Sequence, residues 1–293
     1  IRGSLMRAMD VKRDSSGVVD AISAEDMGKF PDTNLAESLQ RITGVSIDRV
    51  NGEGSQVTVR GFGGGYNMVT LNGRQMPSAN VANVTGNSDE AGALGTSRSF
   101  DFSNLASEGV QGIQVYKTAN AKVVSGGMGA TINVQTNRPL EAGDQASVGV
   151  KLVNDQSGDK DITPEVSGLF SMANEDNTFG ISVFGSYQER SSGAAGVNVS
   201  GYQYLDYDPT LGPWANAERV NEPAAGSLVA IPWNIGMNIM DLNRERSNAM
   251  VTMQFAPSDR TTITADVLYT QTTQEQTGVV PGIWFNRNYS YVE

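Results

Sequence analysis

The side chains best suited to chemistry gather between residues 191 and 245, where "GYQYLDYDPTLGPW" and "AIPWNIGMN" supply Tyr202, Tyr204, Asp206, Tyr207, Asp208, Trp214 and Trp233. Flat aromatic faces beside carboxylate acceptors suit stacking on, and hydrogen bonding to, sugar rings. The competing use of the same side chains is to pack the loop or to sit in an aromatic girdle at a membrane interface. Asp206 and Asp208 lack the twelve-residue pattern of a calcium loop. A second candidate is "VTVRGFGGGYNMVTLNGRQ", residues 57–75, whose glycines raise the possibility of a phosphate cradle. Such a cradle needs a helix directly after the glycines, with Lys and Ser/Thr at set places. Here Asn-Met-Val-Thr-Leu follows, which reads as a strand, and "SGGMGATIN" fails in the same way. Gly61, Gly63, Gly64 and Gly65 therefore read as room for a tight reversal, and Asn72-Gly73 as a hairpin turn at positive φ.

Absences narrow the chemistry further. The 293 residues contain no His and no Cys, which removes thiolate nucleophiles, Ser-His pairs and the usual zinc ligands together. No cofactor and no metal site is read from the sequence. A glycosidase with two carboxylates remains as an enzyme reading, but the sequence does not give their separation. Lys and Arg number 21 against 32 Asp and Glu, a net charge of -11, with no basic cluster to meet nucleic acid phosphates.

The elements that must carry these residues follow two different patterns. Up to about residue 140 the chain mixes one helix with short strands. In "PDTNLAESLQRITGV", Asn34 and Glu37 have capping-box spacing, Leu35, Leu39 and Ile42 share a face, and Gly44 suits the stop. Short alternating runs bounded by Gly, Asn or Pro follow, interrupted by a long loop from Pro77 to Ser99.

From about 145 onward, longer segments alternate with period two: 145–153, 165–173, 178–190, 246–256 and 261–274. Ala146, Val148, Val150 and Leu152 oppose Ser147, Gly149 and Lys151, and the other four segments repeat the contrast. Leu169, Phe184, Met250 and Leu268 break it by sitting on the polar side. The connections alternate between tight turns ("ANEDN", "APSD") and long ones ("NDQSGDKDIT" and 191–245). Outer-membrane barrels keep that asymmetry, whereas a soluble sandwich has no reason to. The fold class expected is therefore an α+β domain followed by antiparallel transmembrane β-barrel strands.

The order "TNLAESLQRITGV", "VTVRGF", "VTLNGRQM" and "EGVQGIQVYKTANAKVVSGGMGATINVQTNRP" resembles the plug domain of TonB-dependent outer-membrane transporters. In that family an "RGF" strand, an "LDG"-like turn, an "IEVlrGPaa" stretch and a "GaiGGvINivTkrP" ending occur in this order. Here they match Arg60-Gly61-Phe62, Leu71-Asn72-Gly73, Ile113 to Ala121, and Gly126 to Pro139 with Gly127 and Gly129 inside it. "VYKTANA" replaces the more usual Arg-Gly-Pro, and Asn72 stands where Asp is common.

The resemblance implies a plug over residues 1–140 and, over 141–293, about five strands of a barrel of about 22. It implies a receptor in the outer membrane of a Gram-negative bacterium, in contact with lipid and not an enzyme. Such a receptor imports a nutrient when TonB, with ExbB and ExbD, pulls on an N-terminal box. The box is expected before residue 1, and further strands beyond Glu293.

"VVDAISAEDMGKFPDTNLAESLQRITGVSIDR" resembles a subgroup associated with oligosaccharides and other complex nutrients. A siderophore or iron chelate is the alternative cargo, and a secreted β-rich carbohydrate-binding or adhesin-like protein the alternative class. If Asn72-Gly73 starts a hairpin toward the outer apex, then Asn80, Asn83, Asn87, Asp89 and Arg98 join Tyr202, Tyr204, Asp206, Trp214 and Trp233 as ligand contacts. Arg41, Arg60 and Arg74 are expected to pair with Glu165 and Asp266 across a wet plug–barrel interface of weak contacts.

Overall fold

The structure is a computed structural model and describes residues 9–24, 27, 34–50, 52–77, 99–160, 162–210, 215, 218 and 220–284. The first half builds a five-stranded sheet from β1 (Val19–Ser23), β4 (Met68–Leu71), β5 (Arg74–Gln75), β6 (Val110–Tyr116) and β7 (Thr131–Thr136), in the order β1-β6-β7-β4-β5. β4 and β7 run parallel, and the other pairs are antiparallel. Ile113, Val115, Ile132 and Val134 are fully buried, so the period-two pattern of β6 and β7 delivers one apolar row each to the core.

Above that row lie the helix α1 (Leu35–Leu39) and the antiparallel hairpin of β2 (Val45–Val50) and β3 (Glu53–Val59). Asn34 caps α1: its Oδ1 accepts from the Ala36 N–H at 2.9 Å and the Glu37 N–H at 3.3 Å. Its Nδ2 donates to Glu53 Oε1 and to the Gly54 carbonyl, which ties the helix start to β3. Glu37 leaves the capping box and pairs with Arg49 instead, at 2.6 Å. Leu35, Leu39 and Ile42 enter the core as their spacing predicts.

A short helix α2 (Pro139–Ala142) leads into a second, antiparallel sheet. Its strands β8 (Gln145–Val153), β9 (Thr163–Ala173), β10 (Phe179–Asn198), β13 (Asn234–Ser258) and β14 (Thr261–Val279) are ordered β14-β13-β10-β9-β8, with β15 (Gly282–Trp284) pairing to β13. These are the five alternating segments, but β10, β13 and β14 run much farther than the alternation shows. The 191–245 stretch is accordingly not one long loop. It holds the upper parts of β10 and β13, which pair as far as Asn198 and Gly236, and a separate hairpin of β11 (Tyr202–Asp206) and β12 (Leu228–Pro232). "SSGAAGVN" carries no apolar–polar contrast, so only its pairing with 236–243 makes it a strand.

The polarity of this sheet is the reverse of a soluble one. Val148 is 83% exposed and Leu152 70%, while Phe170, Phe179, Val183, Met253, Phe255, Ile263, Val267 and Tyr269 are also exposed. The other face covers the first half of the chain, and there Ser182, Gln188, Arg246, Asn248, Thr252 and Gln254 are buried. The four exceptions to the alternation fall into register: Phe184 lies opposite Leu169 on one side and Met250 on the other, and Met250 lies opposite Leu268. Phe184 and Met250 belong to the core cluster of the first half, and Leu169 and Leu268 pack against it.

Candidate functional site

Three sets of residues bear on function, two at the junction of the halves and one beyond it. The first is a pair of tight turns. Asn72 (φ 52°) and Gly73 (φ 81°) both take left-handed backbone and connect Leu71 to Arg74. Asn72 also reaches outward: Nδ2 donates to Thr136 Oγ1 at 2.8 Å and to Asp266 Oδ2 at 3.4 Å, and Oδ1 accepts from the Thr136 N–H at 3.0 Å. Asp266 is only a few residues into β14 after the tight turn that follows β13, so this hairpin faces the short-turn end of the sheet. That corrects the expectation that it leads toward the outer apex. Asn80, Asn83, Asn87, Asp89 and Arg98 lie outside the described residues.

The reversal expected across the glycine run falls at Arg60-Gly61, with φ of 53° and 81° and paired Val59–Phe62 backbone hydrogen bonds of 3.0 Å. Gly64–Tyr66 forms a short 3-10 turn. In "SGGMGA" the glycines answer to crowding, because a Cβ on Gly127 would stand 2.1 Å from the Ala130 carbonyl oxygen and one on Gly129 2.3 Å from Asn67 Oδ1. Gly126, beside them, takes φ 133°.

The second set crosses from the first half to the sheet. Asp266 accepts from Arg138 Nη1 at 3.0 Å and from Thr252 Oγ1 at 3.0 Å. Glu165 accepts from Gln188 Nε2 at 2.9 Å and lies 3.3 Å from Lys151 Nζ, which also pairs with Glu108. Burial opposes ionisation of Glu108, but the coupled site it shares with Glu165 and the Lys151 ammonium outweighs it and holds the carboxyl well below the ordinary carboxylate range. Thus Glu165 and Asp266 do meet the first half, through Glu108, Arg138 and Asn72. Arg60 instead donates to the Gly129 carbonyl at 2.6 Å, while Arg41 and Arg74 are exposed.

The interface is also less wet than expected. Glu53, 3% exposed, sits 2.6 Å from Arg244 and 3.1 Å from Arg190. Arg246, 1% exposed, donates to the Ser103 and Leu105 carbonyls. The alternation puts Arg190 and Arg246 on the polar faces of their segments but names no partner for them or for Arg244, although all three occupy inward positions of β10 and β13, where a charge needs a buried partner. Away from the sheet, the polar face of the five-stranded sheet opens on a concavity of about 770 Å³ lined by Gln111, Gln114, Asn133, Gln135 and Arg138 among others.

The third set is the outer hairpin. Tyr202, Tyr204 and Asp206 share one exposed face of β11, and Trp233 stands beside its start, where its N–H donates to the Gly201 carbonyl at 2.9 Å. Tyr207 is buried and donates to Glu222 Oε1 at 2.6 Å, and Asp208 closes a turn by accepting from Thr210, so both are consumed by the loop. Trp214 lies outside the described residues. Among the described residues no acidic cluster is placed to hold a metal ion.

A small α+β domain seated on the polar face of a sheet whose other face is apolar defines a class: a plug held against a barrel-type wall. Residues 11–131 match the family model of the TonB-dependent receptor plug domain. Residues 11–131 thus carry a plug domain of the kind found in TonB-dependent receptors, and antiparallel strands follow it. Similar solved structures include the unliganded ferric citrate transporter FecA, at 16% identity and a TM-score of 0.51, covering 92% of this chain and 42% of that one. The siderophore receptor PirA from Acinetobacter baumannii is also 16% identical (TM-score 0.46), covering 93% of this chain and 45% of that one. A ferric enterobactin receptor, PfeA from Pseudomonas aeruginosa, solved with enterobactin, is 16% identical (TM-score 0.48; 88% and 41% covered). The chain thus spans less than half the length of these structures. No curated protein is similar enough to this sequence to count as a match.

Proposed function

We propose that this chain is the plug and adjoining wall of an outer-membrane receptor, which binds a nutrient at the cell surface and imports it into the periplasm with energy relayed by TonB, ExbB and ExbD. The observation that carries the reading is the reversed sheet: apolar side chains face outward, and a polar face closes on the plug. In this reading residues 1–140 are the plug, and residues 141–293 are wall strands of a barrel of about 22. Edge N–H and C=O groups facing hydrocarbon would otherwise cost several kcal/mol each.

The cargo is an oligosaccharide or similar complex nutrient, met by the exposed rings of Tyr202, Tyr204 and Trp233 with Asp206 as acceptor. Binding to the full-length receptor in detergent, screened with maltose-like and chitin-like oligosaccharides and with iron chelates, tests both cargo classes. Tyr204→Ala is expected to weaken oligosaccharide binding by about 1–3 kcal/mol, the order of a lost stacking contact. Unchanged affinity in Tyr204→Ala, or binding of iron chelates alone, removes the carbohydrate reading. Full-length protein that stays in the aqueous phase without detergent removes the membrane reading altogether.

A further inference from the structure

We infer that the row Leu169–Phe184–Met250–Leu268 is the anchoring site that determines how firmly, and at what height, the plug is held in the wall, with plug segment Leu105–Val110 as its occupant. The inference rests on the plug-and-wall reading above. The four residues are the apolar breaks in the inward polar faces of β9, β10, β13 and β14, and register brings them into a single line across the strands. At three strand spacings of about 4.8 Å, that line is about 14 Å wide.

Phe184 and Met250 are buried in the cluster that also holds Leu105, Ala106 and Val110. The fit is close: a Cβ on Gly109 would fall 2.7 Å from Phe184 Cδ1, so the ring lies directly on plug backbone.

On either side of the row the contacts are polar. Asn137 meets Ser182 at 3.1 Å and Arg138 meets Asp266 on the short-turn side, while Arg246 meets the Ser103 carbonyl and Glu53 meets Arg190 on the other. Water replaces polar partners when such contacts part, and the hydration each buried pair regains offsets much of the attraction it loses. Nothing replaces the apolar contact, whose surface must be hydrated. Height is specified for the same reason. The next inward residues along β10 are Ser182 and Ser186, and along β13 Asn248 and Thr252, so sliding the plug two residues either way sets its apolar segment against polar side chains.

The test uses the full-length receptor, with hydrogen exchange of residues 105–116 read in detergent and leakage of a small hydrophilic dye read from vesicles. Heat-modifiable migration on gels reports that the barrel is closed. Phe184→Ala and Gly109→Ala are each expected to speed exchange across 105–116 by on the order of 100-fold or more and to increase leakage, as large-to-small and overpacking changes in a core do. Asp266→Asn is expected to change exchange less than about tenfold, and the outward Phe179→Ala not at all. Unchanged protection in Gly109→Ala, or a larger effect of Asp266→Asn than of either row variant, overturns the inference. If Phe184→Ala does not form a closed barrel, Gly109→Ala decides alone, because its substitution lies in the plug. No cargo or TonB enters these readouts, so a receptor that imports nothing yet responds as expected leaves the anchor standing.

Discussion

At the scale of single residues, the interface is governed by where each charge finds its partner. Glu108 and Glu165 share a site with Lys151, and Arg246 faces both carboxylates from β13. The Glu108 carboxyl is held well below its ordinary value of 4.5 in the folded protein. A depressed folded value means that its contribution is fully present above about pH 4.5 and is lost as pH falls through the folded value. Exchange protection of the plug segment around Glu108, once corrected for intrinsic rates, should therefore fall as pH drops below about 4.5. Glu108→Gln should flatten the acid limb, and an acid limb unchanged in that variant would place the titrating group elsewhere. Neither Glu108 nor the inward arginines stand out in the sequence. Their spacing is unremarkable, and only the approach of two distant segments makes them partners.

At the scale of elements, local rules and tertiary demands are separable. Asn34 was legible as the start of α1 because a capping side chain acts within three residues. That its other end ties down Glu53 and Gly54 was not, since they belong to β3. Asn34→Ala should lower plug stability by about 2–4 kcal/mol, combining a lost cap with two buried acceptors left without a donor. Thermal unfolding of the plug signal in the full-length receptor measures this, and a loss below about 1 kcal/mol would mean that water takes over both bonds. The turns show the same division. Asn72-Gly73 was legible as a hairpin turn, yet its direction was not, because direction depends on how the whole sheet lies against β14.

At the scale of the whole molecule, the apolar outer face and polar inner face determine which surroundings the wall tolerates. Val183→Arg, on the outer face of β10, should disfavour folding into lipid vesicles by about 2–4 kcal/mol if it lies near the bilayer midplane, as read from urea titration. A charge accepted there without cost would mean that this face does not meet hydrocarbon. The sequence by itself determined that a helix-bearing domain precedes long two-faced strands, and that those strands oppose apolar to polar side chains. Side-chain alternation is a property of extended backbone and needs no distant neighbour. Only the tertiary structure decided how far β10 and β13 extend, and that four breaks in the alternation form one line beneath the plug. It also decided that the acids of the wall meet Arg138, Asn72 and Glu108. Register between strands and docking between halves are long-range pairings, and no window of neighbouring residues contains both partners.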